Sequence, residues 1–232
     1  MPTTNFPDGV TNAALNSALT DLIIEDPTRD HTFFNDFDSY VAADWVVTAV
    51  GAGTAALTAG NGGLLLLTNA AADDNSLVLQ KTPAAFAMTA NKRAWFSTKF
   101  QTSDVTQSDI MMGVVIVNTT PIATPPTDGI YFLKTDGAAT IDIICRKNAT
   151  TGSNSKTAIA TLANATDITL QWYYDGNGRL FYGVNGVLVG SMDASASFLP
   201  DATNLTVTMV VQNGEAVAKT MTVDYIMAAF ER

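Results

Sequence analysis

The clearest alternation of apolar and polar positions along the chain lies in residues 168–190. In ITLQWYYD, every second residue from Ile168 to Tyr174 belongs to one face, and Thr169 and Gln171 belong to the other. This period of two is typical of a strand with one buried face. DGNG and then Asn185-Gly186 interrupt the pattern, and both segments suit the positive φ angles of tight turns. The pattern therefore predicts a three-stranded antiparallel meander.

Segments with the same character follow one another from Trp45 to the end of the chain. They read WVVTAV, TAALTA, GLLLLT, SLVLQKT, AWFSTKFQ, IMMGVVIV, GIYFLKT, ATIDIICR, KTAIATL, NLTVTMVVQ and KTMTVDYIMAAFE. IMMGVVIV is almost continuously apolar, which is typical of a central strand covered on both faces. About a dozen strands, spaced by roughly ten residues and separated by turn residues, predict an all-β sandwich or jelly roll.

Residues 117–129 form a loop of a different kind, VNTTPIATPPTDG, which contains three prolines and cannot continue a sheet. Two interpretations stay open for this loop. It is either a stiff connector between two strands or an exposed loop that carries binding residues.

The first 35 residues differ from the rest and predict an N-terminal arm rather than a domain. MPTTNFPDGV has an extended, turn-containing composition, and the leucines at 15, 19 and 22 lie on one stripe of a short helix that Thr11 or Asn12 can cap. Phe6, Phe33 and Phe34 are the aromatic residues of this arm, and they must pack on the body or on a partner. Residues 36–232 are expected to form one β-sandwich domain.

Composition and charge exclude several classes of function. Twelve Lys and Arg stand against 22 Asp and Glu, a net charge of −10, and no basic cluster occurs, so nucleic acid and membrane are not expected partners. Neither a secretory signal nor an apolar run long enough to span a bilayer is visible. The one cysteine, Cys145, shares a face with Ile141 and Ile143 and is expected to be a buried, inert thiol.

The order of these segments resembles a known fold family. A WFSTKF-type strand, an internal apolar strand, LQWYYDGNGRLFYGVNGVLVG and a last strand TVDYIMAAFE together are similar to the concanavalin-A-like lectin/glucanase jelly roll, over roughly residues 32–232. The resemblance implies a β-sandwich and a fold shared by lectins and glycosidases. The hairpin that carries it is typical of the fold and not of one activity.

The arm, the short helix and FFNDFD leading into such a sandwich also resemble decoration (cement) proteins of tailed bacteriophages. The polar start, the Thr-, Ala- and Asn-rich strands and the sequence pI of 4.3 contribute to this similarity. The resemblance implies a virion protein on the outer capsid surface, assembled in the host cytoplasm. It also implies the major capsid protein as partner and self-association as a dimer or trimer.

The sequence contains no recognisable catalytic or metal-binding pattern. The family's closely spaced acidic strand motif is missing, because the three glutamates, Glu25, Glu215 and Glu231, are isolated from one another. One histidine, His31, and one cysteine cannot build a Cys/His metal centre. Asp36 and Asp38, and the turn Asp73-Asp74-Asn75, are incomplete as calcium ligand sets. No catalytic residue, metal or cofactor is therefore expected.

These observations predict a non-enzymatic capsid decoration protein, with Phe6, Phe33 and Phe34 as its partner contacts. The alternative is a lectin-like module that binds a surface glycan, with Tyr173 and Phe181 as aromatic residues facing the sugar. A glycosidase of the same fold is a third reading, and it needs a pair of carboxylates from distant strands.

Overall fold

The computed structural model describes residues 29–60, 62–149 and 154–232, which form fifteen strands in two sheets. The larger sheet contains β1 (Asp30–Asn35), β3 (Gly53–Thr58), β4 (Leu64–Asn69), β6 (Ala94–Thr102), β11 (Ile168–Tyr174), β12 (Arg179–Val184), β13 (Val187–Asp193) and β15 (Thr220–Glu231). The smaller sheet contains β2 (Trp45–Val50), β5 (Ser76–Lys81), β7 (Ser108–Val115), β8 (Gly129–Lys134), β9 (Thr140–Arg146), β10 (Ser155–Thr161) and β14 (Thr206–Asn213).

All strand pairs are antiparallel. The larger sheet has the order β13-β12-β11-β6-β15-β4-β3, with β1 pairing β15, and the smaller sheet has the order β10-β9-β8-β7-β14-β5-β2. The helical content of the described residues is one three-residue 3-10 helix, Ala42–Asp44. Within the same ranges, no helix is long and apolar enough to cross a membrane. The prediction of an all-β sandwich is confirmed.

The core lies between the two sheets and is built by the alternation predicted for residues 168–174. Ile168, Leu170, Trp172 and Tyr174 are all buried in it, and the ring of Trp172 stacks on Phe96 at 5.9 Å. Further aromatic residues, among them Phe100, Phe132 and Phe230, complete this layer. Aromatic side chains bury large apolar areas, so the stretch that best predicts the fold also supplies much of its stability.

The predicted meander is confirmed as β11, β12 and β13. Asn185 and Gly186 have φ angles of 51° and 77°, as a tight hairpin turn with two left-handed residues requires. In the other turn, the Asp175 carboxylate accepts hydrogen bonds from the backbone N–H groups of Asn177 and Arg179. The acidic and amide side chains thus stabilise the turns that they predict.

β7 is covered on both faces, as its continuous apolar sequence predicts. Ile110, Met112 and Val114 point into the main core, whereas Met111 and Val115 belong to a second cluster on the outer face of the smaller sheet. Ile122 of the proline-containing loop packs against this second cluster, and Pro121 and Pro126 are buried. The loop is therefore a cover for the sheet as well as a connector.

β1 belongs to the larger sheet although its residues fall in the segment predicted to be the arm. Its partners run in unbroken register from Asp30 opposite Glu231 to Asn35 opposite Ile226. The predicted short helix, with its leucine stripe, and Phe6 lie outside the described residues.

Candidate functional site

The candidate site lies on the outer face of the larger sheet, where β6 supplies a row of side chains. Trp95, Ser97, Lys99 and Gln101 alternate with Phe96 and the other core residues of the strand. Because successive side chains of a strand point to opposite faces, this row lies along the outer surface. The first half of this row, at Trp95, belongs to an aromatic cluster, and the second half, Lys99 and Gln101, is polar.

The polar half forms an open cleft of about 220 Å³ that three neighbouring strands and the loop before β11 delimit. The cleft is lined by Leu64, Lys99, Gln101, Asp167, Thr222 and Asp224. Apart from Leu64, all of these side chains can donate or accept hydrogen bonds, so the cleft floor is suited to a polar ligand.

Asp224 lies on the same outward face as Thr222, next to a β-bulge in β15. The register between β15 and β6 shifts between Val223 and Tyr225, which leaves Asp224 as the extra residue. The Asp224 carboxylate accepts a hydrogen bond from Lys99 Nζ at 2.6 Å.

Lys99 is held between two carboxylates. Its Nζ atom lies 3.2 Å from Asp167 Oδ2 as well as 2.6 Å from Asp224 Oδ2. The hydrogen bond to Asp224 raises the pKa of Lys99, with burial acting in the opposite sense and Asp167 adding to the rise. The ammonium group is thus kept charged and fixed in position.

A further carboxylate, Asp36, lies close enough to sense the charge of the cleft. Partial burial raises the pKa of Asp36, and the negative charges of Asp38 and Asp224 add to this rise. The region around Lys99 therefore carries an excess of negative charge, which favours ligands that donate hydrogen bonds.

A hydrogen-bonded chain links the cleft to the aromatic half of the row. Ser97 Oγ lies 3.0 Å from the Tyr225 hydroxyl, and Gln171 Nε2 donates a hydrogen bond to Ser97 Oγ at 3.4 Å. The amide oxygen of Gln171 is buried and has no hydrogen-bond partner among the described residues. Tyr225 lies directly opposite Lys99 in the sheet register, and its hydroxyl reaches Ser97, the neighbour of Lys99 on the outward face.

The aromatic half is a small cluster of Trp95, Tyr173 and Ala229, with Phe181 packed at its edge. The ring centroids of Trp95 and Tyr173 lie 5.9 Å apart, and those of Tyr173 and Phe181 lie 6.2 Å apart. Tyr173 is only 6% exposed, so the expectation that it is an exposed aromatic surface is wrong. It is covered because the outer face of the sheet has a cluster of its own, in which Phe181 is half-buried.

Phe33 and Phe34 lie on opposite faces of β1 and do not form one surface. Phe33 packs edge-on against Trp45, with ring centroids 5.9 Å apart, and joins the main core. Phe34 is 55% exposed, and its ring centroid lies 6.2 Å from that of Tyr225. Of the predicted partner contacts in the described residues, Phe34 alone presents an exposed ring.

The acidic residues considered for catalysis or for metal binding are not assembled into a centre. Glu215 is paired with Lys219 and Glu231 with Arg93, and neither glutamate lines the cleft. In the part of the chain that the structure describes, no group of three or more His, Cys, Asp or Glu residues could hold a metal ion. Glu25 lies outside the described residues.

Sequence reasoning missed the cleft because its residues come from distant positions. Lys99 could have been singled out as a lysine on the outward face of an aromatic strand, between Phe96 and Phe100. Asp224 could not have been paired with it, because alternation along TMTVDYIM does not reveal that β15 pairs with β6 or in which register.

No protein-family model and no curated protein sequence matches the chain. Solved structures do match it in fold. An endo-1,3-beta-glucanase from Streptomyces sioyaensis has a TM-score of 0.63 at 15% identity, covering 90% of this chain and 99% of its own. Peanut lectin has a TM-score of 0.58 at 11% identity, covering 87% and 97%. Arcelin-5, a lectin-like defense protein from Phaseolus vulgaris, has 0.58 at 12% identity, covering 88% and 100%.

The fold is therefore the concanavalin-A-like jelly-roll sandwich of lectins and glucanases. At these identities, the likeness concerns the fold alone. Since both a lectin and a glucanase share it, binding and catalysis must be argued from the site and not from the fold.

Proposed function

We propose that the protein is a non-enzymatic carbohydrate-binding module, and that its ligand occupies the cleft around Lys99. The observation that carries this proposal is the position of Lys99 Nζ between Asp224 and Asp167, on the outer face of a lectin-type sheet. A sugar presents several hydroxyl groups that donate and accept hydrogen bonds in alternating directions. A fixed row of an ammonium group, two carboxylates, an amide and a hydroxyl complements such a ligand.

The capacity of these groups exceeds the bonds that they make with each other. An ammonium group has three donors, and a carboxylate has about four acceptor sites. The two ion pairs use two of the three ammonium donors and one oxygen of each carboxylate, and they leave the remaining sites to the ligand. Hydrogen bonds to charged groups contribute about 1.5–3 kcal/mol, so two or three of them account for specific but modest affinity.

Aromatic rings flank the cleft and add an apolar contact. Tyr225 lies opposite Lys99 in the sheet register, and the exposed ring of Phe34 lies next to the Tyr225 ring. Ligand sites commonly combine apolar and aromatic walls with a few polar groups that fix orientation. The exposed Phe34 ring, next to Tyr225, offers such a wall to a ligand that extends beyond the residues lining the cleft.

The ionisation of the cleft favours binding over hydrolysis. A glycosidase needs one protonated carboxyl as general acid and a second carboxylate at a defined distance. Both carboxylates that line this cleft are ion-paired with the same lysine, so neither stands apart as a separate general acid. Lys99 itself has a raised pKa and is a poor proton donor at neutral pH. We therefore propose a binding module rather than an enzyme.

A glycan array tests this proposal with three proteins. The wild-type chain is expected to bind a restricted set of glycans, and Lys99→Met is expected to lose them. Lys147→Met is the matched control, because Lys147 also pairs with an aspartate, Asp201 at 2.5 Å, but lies outside the cleft. Absence of wild-type binding, or equal loss in both variants, contradicts the proposal. Release of sugar from a bound glycan would contradict its non-enzymatic part.

A second candidate function is structural, and the exposure of Phe34 supports it. In this role the protein decorates the outer surface of a tailed-phage head and contacts the major capsid protein through Phe34 and Phe6. Burial of a phenylalanine side chain contributes roughly 1.5–3 kcal/mol, and repetition over a shell multiplies weak contacts. Because Phe34 lies on the same face as the cleft, docking through Phe34 and glycan binding at the cleft are alternative uses of this face.

Co-sedimentation with empty head shells tests the structural role. Phe34→Ser and Phe6→Ser are expected to reduce saturable binding, and Val117→Ser, which changes another exposed apolar residue, is the control. A truncation should begin at residue 29, because removing residues 30–35 would delete β1 from the sheet. Failure of the wild-type chain to sediment with shells would exclude the role.

A further inference from the structure

One flank of the sandwich is formed by two edge strands without a charged side chain. β2 is the edge of the smaller sheet and β3 is the edge of the larger sheet, and they follow each other directly in the chain. No charged residue occurs between Asp44 and Asp73, although the chain carries a net charge of −10. This flank is therefore the long neutral edge of an acidic protein.

The core is open to solvent at this flank. Val47 lies opposite Leu79 and Leu57 lies opposite Leu65, so both side chains belong to the inner faces of the sheets. Even so, Val47 is 44% exposed and Leu57 is 47% exposed. Val46 and Val50 add exposed apolar surface on the outer side of β2. Exposed apolar side chains along two adjacent edge strands are typical of an interaction site.

The opposite flank also exposes apolar side chains, at Val187, Leu188 and Val189 of β13, but its edge strands are interrupted where β2 and β3 are not. β10 contains the exposed Lys156 and an irregularity at Ala158, whose N–H is bound by the Asp142 carboxylate. β13 is interrupted by a register shift opposite Tyr182 and Gly183. Lysines and bulges block the pairing of edge strands with other chains, whereas β2 and β3 run in unbroken register with their neighbours.

We infer that the β2–β3 flank is the interface for a second copy of this chain, related by a two-fold axis. Two copies of a protein with net charge −10 repel each other wherever charged surfaces meet, because juxtaposed like charges cost several kcal/mol. The uncharged flank is a surface on which they can approach. A two-fold interface needs a self-complementary patch, and an apolar edge with unused backbone donors and acceptors provides one.

Sedimentation velocity of the full chain over a range of concentrations tests this inference. The wild type is expected to form a reversible dimer of the 24.5 kDa chain. Val47→Lys and Val46→Lys are each expected to raise the dimer dissociation constant by at least about 100-fold, because the two-fold axis repeats the new charge across the interface. Val46 lies on the outer side of β2, where a lysine stays in water, so this variant keeps the test valid if Val47→Lys does not fold.

Leu188→Lys, an exposed position on β13, is the control and is expected to leave the dimer intact. A wild type that stays monomeric at all concentrations overturns the inference. Dimers that persist in both folded β2 variants, or that dissociate only in Leu188→Lys, overturn it as well. None of these outcomes depends on glycan binding or on shell binding.

Discussion

Lys99 and Asp224 are joined by a 2.6 Å ion pair at the position where β15 departs from regular pairing with β6. The bulge in β15 and the ion pair of Lys99 therefore lie at the same position in the sheet. The register from Met221 to Val223 leads Asp224 to Lys99, and the shift that follows pairs Tyr225 with the same lysine, so both residues of β15 lie beside it. This relationship is the structural basis for the proposed site.

Replacing Asp224 with Asn tests whether the bulged carboxylate contributes to binding. Asp224→Asn keeps the shape but removes a charged acceptor, so glycan affinity should fall about 10–100-fold, as expected for one charge-assisted hydrogen bond. Isothermal titration with the best array ligand measures the change. Asp201→Asn is the matched control, since Asp201 pairs with Lys147 outside the cleft. Equal affinities for Asp224→Asn and the wild type would remove Asp224 from the site.

Asp36 should reduce stability at neutral pH. Burial and the charges of Asp38 and Asp224 raise its pKa in the folded protein, so folding favours the protonated form. Stability is then lost as pH rises from about 3.9, the pKa of an unfolded aspartate, through the higher folded value. Asp36→Asn should therefore be slightly more stable than wild type at pH 7, by roughly 0.5 kcal/mol or less.

Urea unfolding at two pH values checks this expectation for Asp36. The difference between Asp36→Asn and the wild type should vanish near pH 3, where the carboxyl is protonated in both states. A variant that is less stable at pH 7 would show that the charge of Asp36 stabilises the fold.

Asp104 should stabilise the fold at neutral pH, unlike Asp36, because the folded protein makes hydrogen bonds to its charged carboxylate. Lys219 Nζ donates a hydrogen bond to it at 2.8 Å, and backbone N–H groups of Thr106 and Gln107 donate two more. The contact with the buried Lys219 lowers the pKa of Asp104 strongly. Its stabilisation is present above about pH 4 and is lost as pH falls towards the low folded pKa.

Asp104→Asn should therefore lower the free energy of unfolding at pH 7 by about 1–3 kcal/mol, since Lys219 then retains only Glu215 as a charged partner. Denaturation at pH 7 and at pH 3 measures this. The cost should be smaller at the lower pH. A cost that is equal at both values would contradict the ionic explanation.

Cys145 should be unreactive in the folded protein. Its side chain is buried on the inner face of β9, and burial raises the pKa of the thiol to about 12. At pH 8 only about one thiol in ten thousand would be ionised even if reagent reached it. A thiol-specific chromogenic reagent should detect no thiol in the native chain and one per chain in concentrated guanidinium chloride. A full native titre would show that this strand opens.

The sandwich was predictable from the sequence because its strands are locally specified. The alternation from Ile168 to Tyr174 and the Asn185-Gly186 turn determine strand, face and turn without help from the rest of the chain. The continuous apolar sequence of β7 also indicated that both faces of this strand are covered. It did not indicate that Ile122 covers the outer face. A cover of this kind depends on where a loop lies in three dimensions.

The site was less predictable because it depends on register. Tyr173 was assigned correctly to the face opposite Trp172, but alternation does not reveal whether an outer face is covered. Phe33 and Phe34 were grouped by proximity in sequence, whereas the strand β1 directs them to opposite faces. Lys99 and Asp224 are 125 positions apart, and the pairing of β6 with β15 brings them together.

The most direct test of the proposed binding site is an NMR titration of the full-length chain with its best array glycan. We predict that amide shifts concentrate at Lys99, Gln101, Thr222 and Asp224, with smaller changes at Tyr225 and Phe34. Shifts confined to the β2–β3 flank or to the loop at 117–128, with the cleft unperturbed, would show that the sugar binds elsewhere and that the cleft around Lys99 is not the site.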